Sequence, residues 1–105
     1  GLGWTVYVPA GGAGLVSGIG VALKHLAHRV RVVAVQPRTV PYLFAHFHGQ
    51  DMSTVVEEPT LADGLAGAIE PGSITLSLVD EVVDDVALVE EEEILQAIVW
   101  SAQVI

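Results

Sequence analysis

The apolar positions fall into short blocks whose spacing changes from one block to the next. Thr5 to Val8 is a continuous β-branched and aromatic run closed by Pro9, the pattern of a buried strand. After Pro-Ala-Gly-Gly-Ala-Gly, the residues Leu15, Ile19, Leu23 and Leu26 recur at helical intervals with Ala22 beside them. They predict a helix from Leu15 to about His28. Arg29 to Val35 is strand-like again and ends at Gln36-Pro37. Strand, tight loop, helix and strand in about 35 residues form a βαβ unit. Such a unit calls for a parallel sheet and a right-handed crossover.

Pro41 to His48 reads as a short helix, since proline is tolerated in a first turn. Gly49 to Pro59 has no periodicity, and Thr60 to Gly67 is a loop with turn chemistry at Asp63-Gly64. Beyond Pro71-Gly72, Ser73 stands in a capping position. The helix it opens runs to about Val83, with Ile74, Leu78 and Val82 on one face and Leu76 and Val79 flanking it. Asp85 to Val89 is a short strand. From Glu90 onward a last helix begins, its four glutamates in the first turn, where the helix dipole favours negative charge. They read as a solvated helix start. The expected fold class is α/β, a βαβ-based three-layer parallel sheet, and residues 1–105 form a single partial domain.

Composition changes this picture in one respect. Hydrophobic residues are 51% of the chain, and with glycine the share is roughly 61%, above the ordinary range for a soluble domain. The surplus implies surface normally covered by more chain or by a partner. Gly1 to Leu23 carries no charged side chain, long enough to raise a membrane span, but its seven glycines and Pro9 break it into strand, loop and helix. A signal peptide fits no better, because there is no basic start. A chain opening at Gly1 suggests an excised piece, one lacking its N-terminal portion. The absence of cysteine excludes thiol catalysis and thiolate metal sites and is compatible with a cytoplasmic origin. A net charge of −9, with only Lys24, Arg29, Arg31 and Arg38 positive, excludes a nucleic-acid surface and disfavours anionic membranes.

Gly11-Gly12-Ala13-Gly14 lies between a strand and a helix, where free backbone N–H groups and the positive helix end can hold an anion. Taken by itself, a tight turn without ligand fits the residues as well as a phosphate cup. Gly14 and Gly18, four apart, would also permit close helix packing. The dinucleotide pattern fails, because Ser17 stands where its third glycine belongs and Gln36 where an acidic residue belongs. The nucleoside-triphosphate loop fails too, because Lys24 has no glycine before it and His25 after it.

The segment VPAGGAGLVSGIGVALKHL resembles the phosphate-wrapping segment of fold-type-II pyridoxal-phosphate enzymes. RVRVVAVQP is similar to that family's next strand, TLADGLA to its Ala-Asp-Gly loop, and LVDEVVDDVALVEEEEI to its late helix–strand–helix. Four segments in order resemble the threonine/serine dehydratase (threonine deaminase) branch, lyases that deaminate amino acids by β-elimination. The resemblance implies pyridoxal 5'-phosphate as cofactor, a small amino acid as substrate, and a place within the large domain. It implies that Gly11, Gly12, Ala13 and Gly14 offer N–H groups to the phosphate, that Leu15 opens the helix, and that Gly64 lies near the cofactor ring.

The departures are equally specific. Ala13 replaces a family glycine, and a positive φ there would strain an alanine. Gln36 and Tyr42 stand where some relatives place a Glu and an Asp on a divalent cation, so no metal site is expected. The lysine that carries the cofactor belongs to an upstream Ser-x-Lys-x-Arg-Gly motif; Lys24 matches no such motif and reads as a solvated helical lysine. No catalytic residue is therefore assigned, and the chain alone is expected to be inactive. His25 with His28 and His46 with His48 have metal-compatible spacings but no local acid, and read as structural or exposed. Asp80-Glu81 and Asp84-Asp85 read as a helix end and a strand entrance, and Asp63 stays open between a functional role and an Asx-turn. Two alternatives to a truncated enzyme segment stand beside it: a non-catalytic α/β module acting as a homo-oligomer, and one half of a split enzyme.

Overall fold

Val30–Pro37 forms the central strand, because only Arg31 and Gln36 interrupt a run rich in β-branched valine. In the computed structural model, which describes residues 3–26, 29–70 and 72–104, this strand (β2) lies between β1 (Trp4–Pro9) and β3 (Asp85–Val89), parallel to both. Val32, Val33 and Ala34 are all buried. Successive strand residues point to opposite faces, so both faces of the sheet are covered. The α/β class with a parallel sheet stands as expected.

Helix α1 (Gly14–Leu26) links β1 to β2; α2 (Tyr42–Phe47) and α3 (Ile74–Val82) come between β2 and β3, and α4 (Glu91–Val104) follows β3. Single turns of 3₁₀ helix at Met52–Thr54 and Asp63–Leu65 punctuate the long connection. The core joins Val8 and Ala10, Val16 of α1, Val32 and Ala34, Leu43 of α2, and Leu76, Val79 and Val82 of α3. No described helix is long and apolar enough to cross a membrane.

Four expectations on packing need correction. In α1 the buried residues are Val16, Ser17 and Gly20, with Ile19 and Leu23 half-buried, while Leu15 and Leu26 are exposed. An apolar helix that lacks charge on every side of its first turns does not reveal its inner face. In α3 the inner face is Leu76, Val79 and Val82, whereas Ile74 is 78% exposed. Close helix packing belongs to Gly20, where an added Cβ would lie 2.5 Å from Val82 Cγ2; Gly14 and Gly18 face open space. Finally, among the described residues β1 pairs on one side only and buries just Val8, leaving Trp4 and Tyr7 exposed. Helix α4 buries no residue, and Leu95, Ile98, Val99 and Trp100 are about half or more exposed. His28, the expected end of α1, lies outside the described residues.

Candidate phosphate site at the carboxyl end of the sheet

All three parallel strands deliver their carboxyl ends to one edge, the place where open α/β sheets collect their ligands. There β1 runs into Gly11–Gly14, β2 into Arg38-Thr39, and β3 into Glu90-Glu91. The base of the glycine loop is pinned twice. Ala10 N–H bonds to the Val35 carbonyl at 2.9 Å, and the Gln36 side-chain amide donates to the Ala10 carbonyl at 3.3 Å. The Gln36 carbonyl oxygen accepts from Phe44 N–H at 3.0 Å, so this buried side chain clamps the loop to α2 with both ends occupied.

Ala13 adopts φ +72°, the left-handed region, and its methyl is buried. An alanine there costs about 1–2 kcal/mol relative to ordinary backbone, so the strain anticipated from the sequence is present. Ala13 nevertheless closes the loop onto the helix: its carbonyl accepts from Ser17 N–H at 3.0 Å. The first-turn N–H groups of α1 have no helical acceptor by geometry, and no acidic side chain lies in that turn to neutralise the positive helix end. Gly12 and Gly14 have open space where a Cβ would stand. The loop thus offers backbone donors, positive potential and room, the three properties a phosphate requires.

The Ala-Asp-Gly loop arrives at the same place. A Cβ on Gly11 would stand 3.2 Å from Leu65 Cα and 3.4 Å from the Gly64 carbonyl oxygen, so Gly11 is needed for the two loops to touch. Its turn is held by backbone, Leu65 N–H to the Ala62 carbonyl at 2.9 Å, and not by an Asp63 Asx-turn. Thr60 Oγ1 supports it by accepting from Ala62 N–H at 3.1 Å. The fold therefore brings Gly11, Gly12, Ala13 and Gly14 together with Gly64. Leu15, at the helix start, is 60% exposed and turned away from the core.

Glu91 had no separate signal within its run of four glutamates. Its carboxylate accepts from Leu61 N–H at 2.6 Å, from Thr60 Oγ1 at 2.9 Å and from Thr39 Oγ1 at 3.3 Å. Glu90 pairs with Arg38, and Glu93 reaches back to Glu90 N–H at 2.9 Å, the second half of a capping box. The EEEE run is thus largely engaged rather than merely solvated.

Lys24 also departs from its expected freedom. It lies ten residues into α1, about 15 Å from the loop, and its Nζ donates to the Val30 carbonyl and to Asp84 Oδ2, each at 2.7 Å. Asp84 further accepts from Val32 N–H at 2.7 Å. Partial burial pushes the Asp84 carboxyl up, but the bonds from Lys24 and Val32 and the charges of Lys24 and Arg31 outweigh it and hold it below the ordinary carboxylate value. Arg31 pairs with Asp85 at 3.1 Å. His46 Nε2 meets Asp80 Oδ1 at 2.9 Å, tying α2 to α3. His48 packs against Phe44 and Phe47. No group of three metal-ligating side chains converges among the described residues.

A parallel βαβ sheet whose glycine loop and Ala-Asp-Gly loop meet at its carboxyl edge defines a class, and comparison with known proteins agrees. The family described as pyridoxal-phosphate dependent enzyme matches residues 4–104, and the chain belongs to it. Within that class it is 42% identical over 95 residues to an L-threonine ammonia-lyase of Thermotoga maritima, covering 90% of this chain and 23% of the relative. The crystal structure of T.th. threonine deaminase superposes with a TM-score of 0.77 at 30% identity, over 89% of this chain and 34% of that one. Serine racemase from Dictyostelium discoideum gives 0.76 at 31%, over 100% and 33%. The chain spans about a quarter to a third of the length of these relatives.

Proposed function

We propose that these 105 residues are the cofactor-phosphate cradle of a threonine/serine dehydratase-like lyase. The observation that carries the reading is the meeting of the Gly11–Gly14 loop with Gly64 at the sheet's carboxyl edge, with Gly12 and Gly14 open to an incoming group. Gly11, Gly12, Ala13 and Gly14 would donate their N–H groups to the phosphate of pyridoxal 5'-phosphate, Leu15 would open the helix behind them, and Gly64 would lie near the cofactor ring. When bound, the cofactor supplies an electron sink for elimination of water and ammonia from a small hydroxy-amino acid. The chain's own part is to fix the phosphate and so orient the ring.

These residues do not complete the reaction alone. The only lysine, Lys24, is committed to Val30 and Asp84 at the far edge of the sheet. The lysine that carries the cofactor must come from another part of the same protein or from a partner chain. Alone, the cradle should hold phosphate with about 4 kcal/mol, an affinity near ~1 mM. Titrating pyridoxal phosphate while following the amide signals of Gly11 to Gly14 tests this, and an unperturbed loop at ~10 mM ligand would refute it.

The bare apolar face of α4 and the open edge of β1 favour a second reading, a non-catalytic scaffold that works as a homo-oligomer. Sedimentation separates the two: a discrete oligomer indifferent to pyridoxal phosphate supports the scaffold, and a phosphate-binding monomer excludes it.

A further inference from the structure

We infer that Glu91 is a positioning residue that sets phosphate affinity by holding the Ala-Asp-Gly loop against Gly11. The inference rests on the phosphate reading of the glycine loop. Glu91 is the first residue of α4, immediately beyond the carboxyl end of β3. From there its two oxygens span two separate connections, Thr39 after β2 and Thr60-Leu61 before Ala62. The Thr60 hydroxyl that Glu91 receives also accepts from Ala62 N–H, so the restraint passes directly into the turn. That turn carries Gly64 and Leu65, the residues whose backbone touches Gly11. The loop's other bonds are Leu65 N–H to Ala62 and Ala66 N–H to Asp63, both within the turn, and Gly67 N–H to the Glu57 carboxylate at 3.0 Å, which holds its far end to the preceding connection and not to a strand. Glu91 therefore fixes the near end of the loop to the carboxyl end of the sheet, beside the phosphate loop. A carboxylate suits the task because it accepts from several donors at once.

Titrating inorganic phosphate into the 105-residue chain, followed at the Gly11–Gly14 amides, gives the reference affinity. Glu91→Ala is expected to weaken it about tenfold and to shift the Leu61 and Gly64 amides. Glu91→Gln still offers Leu61 an acceptor and should recover most of the loss. Glu90→Gln cuts the Arg38 pair at the same helix start and should leave the affinity unchanged. Equal affinity in the parent chain and Glu91→Ala overturns the positioning role while the phosphate reading stands; no phosphate binding to the parent chain overturns both. An equal loss in Glu90→Gln and Glu91→Ala would mean a general weakening of the helix start, and overturns the role as well. If Glu91→Ala does not fold, Thr60→Val is read in the same way, with a loss of about threefold supporting the role and none overturning it.

Discussion

The two edges of the sheet are built on opposite terms. At the amino edge charge is matched by charge: Lys24 with Asp84, Arg31 with Asp85, and the Val32 N–H brought into the same cluster. At the carboxyl edge the glycine loop keeps its donors open, and the neighbouring bonds serve to hold loops in place. One edge closes the fold by satisfying its polar groups; the other, where Arg38 also pairs with Glu90, leaves only the donors of the glycine loop available. Stability and binding should accordingly respond to different substitutions.

The largest effect is expected at the closed edge. Asp84→Ala strands the buried Val32 N–H and removes an acceptor from Lys24, at a cost of about 2 kcal/mol. Urea unfolding should register that loss, with phosphate affinity unchanged; a parallel loss of affinity would mean that the edges are coupled. Gly12→Asp is the converse. Its backbone is unstrained and its Cβ would meet open space, so stability should stay within about 0.5 kcal/mol. A carboxylate beside the cradle should still lower phosphate affinity at least ~10-fold, about 1.4 kcal/mol, in the same amide titration.

Acid separates the edges without mutation. The Asp84 carboxyl lies below its ordinary value of 3.8 in the folded chain, so between that lowered value and 3.8 the unfolded chain holds more of the proton. The cluster's contribution is complete above 3.8 and is lost as pH falls through the folded value. Urea midpoints measured downward from pH 5 should fall in that window in the parent chain and stay flatter in Asp84→Asn. The change is smaller than that of Asp84→Ala because water screens a pair whose side chains are 32% and 38% exposed.

Ala13→Gly is the smallest change. Relief of about 1–2 kcal/mol of strain is set against about 0.8 kcal/mol for the lost methyl and ~0.4–1 kcal/mol of added unfolded-state freedom. The melting temperature should scarcely move. A stability loss above ~1 kcal/mol would show that the buried methyl outweighs the strain.

The legible parts of the fold were those fixed by short-range pattern. Asp85–Val89 is bounded by pattern alone, because the acidic pair Asp84-Asp85 opens it and glutamates follow. The βαβ unit was legible because glycine and proline divide it. Helix faces were not, since the first turns of α1 carry no charge on any side and the contact with Val82 places Gly20 on its inner face. The strain at Ala13 could be read from a departure in one motif. The Gln36 clamp and the Glu91 tie could not, because each joins segments distant in sequence. Gln36, the polar residue inside VRVVAVQP, is the one sequence hint of the clamp, and its position alone does not name its partners. In a run of four glutamates, nothing distinguishes the one that reaches back.

The contact between Gly20 and Val82 bears on how sequences of this kind can diverge. With 2.5 Å between a Cβ at position 20 and Val82 Cγ2, the two sites share one fixed volume. Bulk gained at 20 has to be surrendered at 82. Single replacements at position 20 should be rare among homologues, and those that occur should arrive with a smaller residue at 82, so that the pair drifts as one heritable unit.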